Sequence, residues 1–532
     1  MARRLLQRAA ARLRDRPRGE LAAYAVLVLV ALVLRLIDLG DRPFHHDESQ
    51  DAYFSWLLFT NGDYAYNPLL HGPLRFYLTT VMYAVFGATD TVARLAPALM
   101  GTAMVALPYL VRRQIGRGAA FAAAVLLAAG PSYLYFSRFA REDIYIACIT
   151  LALLAVVLRF LDRPSRAHPA LMGALLAASF ATKESTFITV FVAGTFFGPL
   201  ALLEARRHGW REAPLVKRIL GLGWEAWAWG FAAFWLVFTL LFTVFLTNPA
   251  GLWDGIHDGL DYWLGQQPVG RGGEPPGFYV FLLAGVEWPV LALAAVGVLA
   301  IARAPSTGRW LLVWMFAMSL AVYSWASEKF AWLVLHPLLP LILLAGMGLA
   351  FLWEQRARWA ARAGLGVAVL GALYLAWGSF QVNAVRPADP RELLVSTQSS
   401  RDVIGVRDQV YRLAERTDDK VTIAIDEAEG ATFPWAWYFR DLPAGYVDMT
   451  QPTYVPEAQV LILTEGSRLR LGDQLAGYEG RRFRFRVWWV KDYGAAFSPA
   501  NWASWVTARE PWNPTGGMPE WIYVRRDLAA SS

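Results

Sequence analysis

Between positions 44 and 51 the chain reads Phe44-His45-His46-Asp47-Glu48-Ser49-Gln50-Asp51. Two imidazoles beside two carboxylates admit three chemistries: a general base for a nucleophile, a divalent-metal ligand set, or an acidic turn facing water. The cluster is dense for a chain with 7 His, and Asn61-Gly62-Asp63 and His71-Gly72-Pro73-Leu74 follow it closely. A second group is Ser137-Arg138-Phe139-Ala140-Arg141-Glu142-Asp143. Arg138 and Arg141 are three apart, so on a helix they share a face and can grip one anion, or be neutralised by their own carboxylate neighbours. Lys183-Glu184 and Glu328-Lys329 stand in short turns between apolar runs. Ionisable groups at membrane depth are costly and mark functional sites, whereas a Lys near a helix end can reach water with its stem in hydrocarbon; Lys183 admits both readings.

The elements around these residues are those of a membrane. Of 532 residues 56% are hydrophobic and 17% charged, and mean hydropathy is +0.33, too few charges to coat soluble domains. This composition excludes disorder and fibres, and the single Cys148, set in an apolar run, excludes a disulfide framework. The fold class expected is a polytopic α-helical membrane protein followed by an α/β domain. Runs near the spanning length of about 20 residues occupy 21–37, 92–111, 118–136, 144–161, 169–182, 186–203, 224–247, 277–302, 310–326, 331–353 and 361–380, eleven spans in all. The run 74–87 is too short for that length and reads as a helix on or dipping into the outer face.

Loop charge sets the orientation. Residues 1–20 carry a net +5 before the first span, and Arg112–Arg117, Arg159–Arg166, Arg206–Arg218, Arg303–Arg309 and Arg356–Arg362 are all net positive. The opposite loops are neutral or acidic, with −5 over 38–73 and −3 over 248–276. The signs alternate when 74–87 does not cross, so the N-terminal segment 1–20 is expected in the cytoplasm and the clusters on the outer face. The formal charge of +7 therefore orients the chain, and no nucleic-acid partner is implied. Three parts follow: the basic 1–20, a transmembrane part 21–380 with an outer loop 38–91 that bears the chemistry, and an extracytoplasmic α/β domain 381–532. In the last, 421–425, 459–464 and the aromatic-rich 483–490 read as strands and 401–416 as a helix. No phosphate-cradling Gly-x-x-x-x-Gly-Lys, Gly-x-Gly-x-x-Gly, Cys-x-x-Cys or His-Glu-x-x-His pattern occurs, and the cytoplasmic loops are short. Any reaction is expected at the outer face, on a substrate delivered within the membrane.

In order along the chain, Asp47-Glu48, His71-Gly72-Pro73-Leu74, and Ser137-Arg138-Phe139 with Asp143 resemble the motifs of the GT-C superfamily of polytopic glycosyltransferases, in particular the protein O-mannosyltransferases and aminoarabinose lipid A transferases of glycosyltransferase family 39. The resemblance covers about residues 20–380. In layout, with Trp435–Asp441 and Glu520–Arg525 near the end, the chain is similar to the prokaryotic flippase-activity-associated membrane proteins. The resemblance implies inverting transfer of a sugar from a polyprenyl-phosphate carrier to a lipid, glycan or protein acceptor. It makes Asp47 the base, with Glu48 orienting the acceptor or its partner Asp47, and it gives the donor phosphate to Arg138 first, then Arg141 and Lys183. His46, His71 and Asp143 would position donor or acceptor. A divalent metal on His45, His46, Asp47 and Glu48 is the one cofactor these residues admit. The aromatic Trp253, Tyr262 and Trp263 offer an apolar entry for the carrier, a sugar platform, or an interfacial belt. Membrane lipids are further partners, and a lipid-linked glycan flippase without transfer chemistry is the alternative. Gly72 and Arg75 depart from the family pattern, and no β-trefoil module is present.

Overall fold

The computed structural model describes residues 18–62, 64–266 and 269–529; the basic segment 1–17, Asp63 and the side chain of Trp263 lie outside the described residues. All eleven apolar runs are helical, since a backbone in hydrocarbon must satisfy its own N–H and C=O groups. Among the described residues seven helices are long and apolar enough to cross a bilayer: Arg18–Leu36, Leu95–Ile115, Asp143–Asp162, Thr186–His208, Trp224–Phe242, Ala331–Glu354 and Trp359–Val385. Two further runs are bent pairs, Arg117–Ala129 with Pro131–Ser137 at 55° and Phe278–Val286 with Trp288–Arg303 at 98°, which makes nine if each pair is one span. Ala167–Phe180 and Thr307–Trp325 complete the bundle. The chain is a multi-pass membrane protein.

The run 277–302, expected as one span, is bent at Glu287. This buried carboxylate stands at the 98° break, and its Oε1 accepts from the Ser132 amide at 3.1 Å. It thereby satisfies a free N–H at the start of Pro131–Ser137, the short helix that delivers the Arg138–Asp143 turn. Close helix contact is set by small residues: Gly348 lies so near the Leu293 carbonyl, and Gly297 so near that of Leu344, that neither position has room for a Cβ.

The helix ends sort into two groups. At one end Arg112 pairs with Glu20 at 3.4 Å, Gln114 donates to Asp162 at 3.1 Å, Arg309 donates to the Gln114 carbonyl at 3.1 Å, and Leu215 packs with Phe160 and Leu161. At the other end stand Asp47, Arg141 and Lys183. Ala167–Phe180, with 14 residues, runs between them. Leu74–Phe86 has 13 residues, about 20 Å at ~1.5 Å per residue, short of a ~30 Å hydrocarbon core.

The C-terminal part carries a six-stranded sheet in the order β1-β5-β6-β4-β2-β3, with β1 Gln398–Ser399, β2 Ile423–Asp426, β3 Ala444–Val447, β4 Val460–Leu463, β5 Tyr478–Trp488 and β6 Gly516–Arg525. β2 is parallel to β3 and β4 and the other pairings are antiparallel. The expected helix is present as Asp402–Arg416, and the strand expected at 483 starts at Tyr478. The domain sits on the site end of the bundle. Tyr438 accepts from the Phe44 amide at 2.9 Å, Trp437 donates to Asp90 at 2.8 Å, and Gln398 donates to the Pro43 carbonyl at 2.9 Å.

Candidate active site

The 46–61 segment, which reads as loop for want of an apolar stripe, is a helix, His46–Asn61, started by a capping box. His45 Nδ1 accepts from the Asp47 amide at 3.0 Å, and Glu48 Oε2 accepts from the His45 amide at 3.1 Å. Asp47 is thus fixed in the first turn, where the helix N-terminus favours a negative charge.

Glu48 is fully buried and saturated. Arg42 Nη2 and Arg94 Nε each donate to its Oε1 at 2.8 Å, and the Ala140 amide donates at 2.9 Å. Burial alone would raise its pKa, but the two guanidiniums outweigh it and hold Glu48 at about 2. One carboxylate therefore ties together the first loop, the helix beginning at Leu95 and the 138–143 turn.

Asp47 forms an ion pair with Arg141, and its side chain keeps 28% of its surface open, against 1% for Glu142 and 2% for Asp143. Arg141 also reaches Glu142 and Asp143 at 3.2 Å each and stacks 4.1 Å above the Trp332 ring. Lys183 Nζ lies 2.9 Å from Glu142 and 3.0 Å from Asp143. Burial opposes its charge, yet Asp143 and Glu142 raise its pKa, while Arg141 and Lys183 hold Glu142 well below the carboxylate range. His71 bridges Glu184 at 2.7 Å and Glu142 at 3.3 Å. Burial would lower its pKa, but the two carboxylates raise it. Arg75 links Glu142 and Asp51 at 3.3 and 3.4 Å, and burial lifts Asp51 to about 6.

Gly72 explains its departure from the family motif. The Gly72 and Leu74 amides bond the carbonyls of Thr182 and Ala181 at 3.1 and 2.8 Å, and a Cβ at position 72 would collide with the Ala181 backbone. The close approach brings His71 onto Glu184.

The structure brings together Asp47, Arg141, Asp143, Lys183 and His71. Arg138, the first expected phosphate ligand, is turned elsewhere: its guanidinium donates to the Asn383 and Asp38 carbonyls at 3.0 and 3.2 Å. The expected metal set also diverges, with His45 spent on the helix cap and Glu48 on two arginines. His46 accepts from Arg486 of β5 at 3.0 Å, and burial and that charge lower its pKa to about 4. Among the described residues no three His, Cys, Asp or Glu side chains form a metal-holding group. Trp253 is largely exposed and Tyr262 accepts from Arg271 at 3.4 Å. Sequence reasoning missed Arg42, Arg94, His336 and Arg486, and it named Glu184 without giving it a partner. His336, 3.7 Å from Asp143, was signalled by its place in an apolar run.

The family described as dolichyl-phosphate-mannose-protein mannosyltransferase matches residues 70–222, a stretch that includes His71, Arg141 and Lys183. No curated protein matches the sequence. Among solved structures, ArnT from Cupriavidus metallidurans bound to undecaprenyl phosphate superposes with a TM-score of 0.60 at 16% identity, over 95% of this chain and 98% of that one. The chain has the GT-C fold. The oligosaccharyltransferase of Archaeoglobus fulgidus is a second GT-C neighbour. Its apo form matches with a TM-score of 0.51 at 13% identity, over 86% of this chain and 70% of its own. In complex with an inhibitory peptide and a dolichol-phosphate the values are 0.52 and 12%, over 94% and 74%.

Proposed function

We propose that the protein is a glycosyltransferase that moves a sugar from a polyprenyl-phosphate carrier to an acceptor hydroxyl or amine on the extracytoplasmic face, with inversion. One observation carries this reading: in a GT-C fold, Asp47 is the accessible carboxylate of a cluster otherwise closed over its own charges. The acceptor oxygen or nitrogen attacks the anomeric carbon and its proton passes to Asp47. The bond from that carbon to the phosphate oxygen breaks, and polyprenyl phosphate leaves with the electron pair. Its growing charge is met by Arg141 and Lys183, fixed cations that are largely shielded from water. Arg141 is held flat on Trp332, and Asp143 and Glu142 keep it beside Lys183. A phosphate arriving here takes these donors by exchange with the carboxylates. Glu48 and Arg138 are positioning residues. Glu48 anchors the turn that carries Arg141, and Arg138 clips it to the exit of the first helix.

Loop charge supports the orientation, because every helix end in the basic group belongs to a net-positive loop and the site end carries the acidic ones. The ArnT neighbour binds undecaprenyl phosphate and the archaeal enzyme a dolichol-phosphate, which supports a lipid phosphate here. The test is donor dependence of transfer in three variants. Arg141→Lys keeps the charge but loses the planar, multidentate contact and the stacking, and Lys183→Met loses the charge; both should raise the donor requirement about tenfold or more. Arg138→Ala should reduce stability and leave donor affinity near wild type. If Arg138→Ala alone abolished donor use, the phosphate would belong to Arg138.

A further inference from the structure

A cavity of about 940 Å³ opens at the basic end of the bundle, away from Asp47. Its walls are small and apolar, including Ala119, Ala122, Ala300, Ala350 and Ala368, and its mouth carries Arg117, Arg303 and Arg309 with Glu354. On one helix the lining runs from Arg117 to Leu126 and on another from Arg303 to Pro289. Separations of nine and fourteen residues at ~1.5 Å each give about 14 and about 21 Å, enough to take an acyl chain through one leaflet of a ~30 Å core. One wall belongs to Trp359–Val385, whose apolar window is 17% buried in the protein, so the cavity faces lipid along its side.

The mouth is selective for charge. Arg303 lies 4.8 Å over the Phe351 ring. Arg309 is braced by the carbonyls of Gln114 and Ala304 at 3.1 and 2.8 Å. Arg117 is 3.8 Å from Glu20, so it contributes less. Trp353 is exposed beside the mouth, as aromatic side chains are at the headgroup level. Two braced guanidiniums over a one-leaflet apolar slot match a phosphate-bearing headgroup with its acyl chain.

We infer that this cavity is a binding site for an anionic phospholipid of the cytoplasmic leaflet, with the acyl chain between the Arg117–Ala129 and Trp288–Arg303 helices and the headgroup on Arg303 and Arg309. The inference rests on the membrane orientation proposed above and not on sugar transfer, so its readout is lipid retention. Purified full-length protein is equilibrated with phosphatidylglycerol, phosphatidylcholine or polyprenyl phosphate, and bound lipid is counted by mass spectrometry of the intact complex. Wild type should hold phosphatidylglycerol at least tenfold more tightly than phosphatidylcholine. Arg303→Gln with Arg309→Gln should lose about thirtyfold, on the scale of two basic contacts to a lipid surface. Ala368→Phe, which fills the slot and leaves the charges, should lose a similar amount and serves if the arginine pair fails to fold. Equal retention of the zwitterionic lipid, retention unchanged in both variants, or displacement of phosphatidylglycerol by polyprenyl phosphate through Arg303 would each overturn the assignment.

Discussion

At Glu48 two guanidiniums outweigh the burial that would protonate the group, and the same arrangement makes its removal costly. Glu48→Gln keeps the shape but leaves Arg42 and Arg94 buried without their counter-charge, so we expect a loss of about 3–5 kcal/mol, read as a large fall in thermal stability; a change under about 1 kcal/mol would contradict the anchoring role. His71 gives a pH signature. Its folded pKa is raised above the unfolded value of about 6.5, so its contribution is complete below about 6.5 and is lost as pH rises through the raised value. Thermal stability measured from pH 5 to 9 should fall across that window in wild type, and His71→Gln should remove this part of the slope. Parallel curves would show that the bridge to Glu142 and Glu184 does not titrate. Asp47, Arg141, Lys183, His71 and Asp143 were legible in the sequence because charge is scarce in so apolar a chain. Arg94 was not, because its partner Glu48 lies elsewhere in the chain and is met through folding alone; for the same reason Glu184 could be named as a charge near the membrane but not paired with His71.

The His46–Asn61 helix is held from two sides, by the bundle through Glu48 and by the C-terminal sheet through Arg486 of β5. The Arg486 guanidinium also donates to the Phe433 carbonyl at 3.0 Å, so the imidazole beside Asp47 is fixed by the C-terminal sheet domain. Arg486→Met should lower turnover about tenfold with donor KM near wild type, since the contact orients the base side of the site and touches no phosphate ligand. Turnover unchanged in a folded variant would separate the domain from catalysis. Apolar runs made the spanning helices readable, whereas this helix was not, its residues being polar and aromatic on all sides. The bend at Glu287 also escaped the reading, since a lone carboxylate in an apolar run does not announce the amide it caps.

Across the whole molecule, the acidic loops, the site and the sheet share one end and the basic loops the other. In a Cys148→Ser background, Asp473→Cys in the sheet domain should react with an impermeant thiol reagent in intact cells, and Arg207→Cys should be protected until the membrane is opened. The reverse pattern would invert the orientation and place the site in the cytoplasm. The alternation of loop charge made this layout legible before any helix was placed, but the docking of Trp437 and Tyr438 on the first outer loop was not, because it depends on how the sheet folds. The central claim is that Asp47 performs proton transfer in a sugar-transfer reaction. The most direct measurement is release of free polyprenyl phosphate when purified protein meets the lipid-linked sugars of its own membranes together with an extract of the same cells that supplies the acceptor, for wild type and Asp47→Asn. We expect wild type to release the carrier and Asp47→Asn, folded and equally able to bind lipid, to do so more slowly by a factor on the order of 10² or more. Carrier release at the wild-type rate in Asp47→Asn would contradict the account.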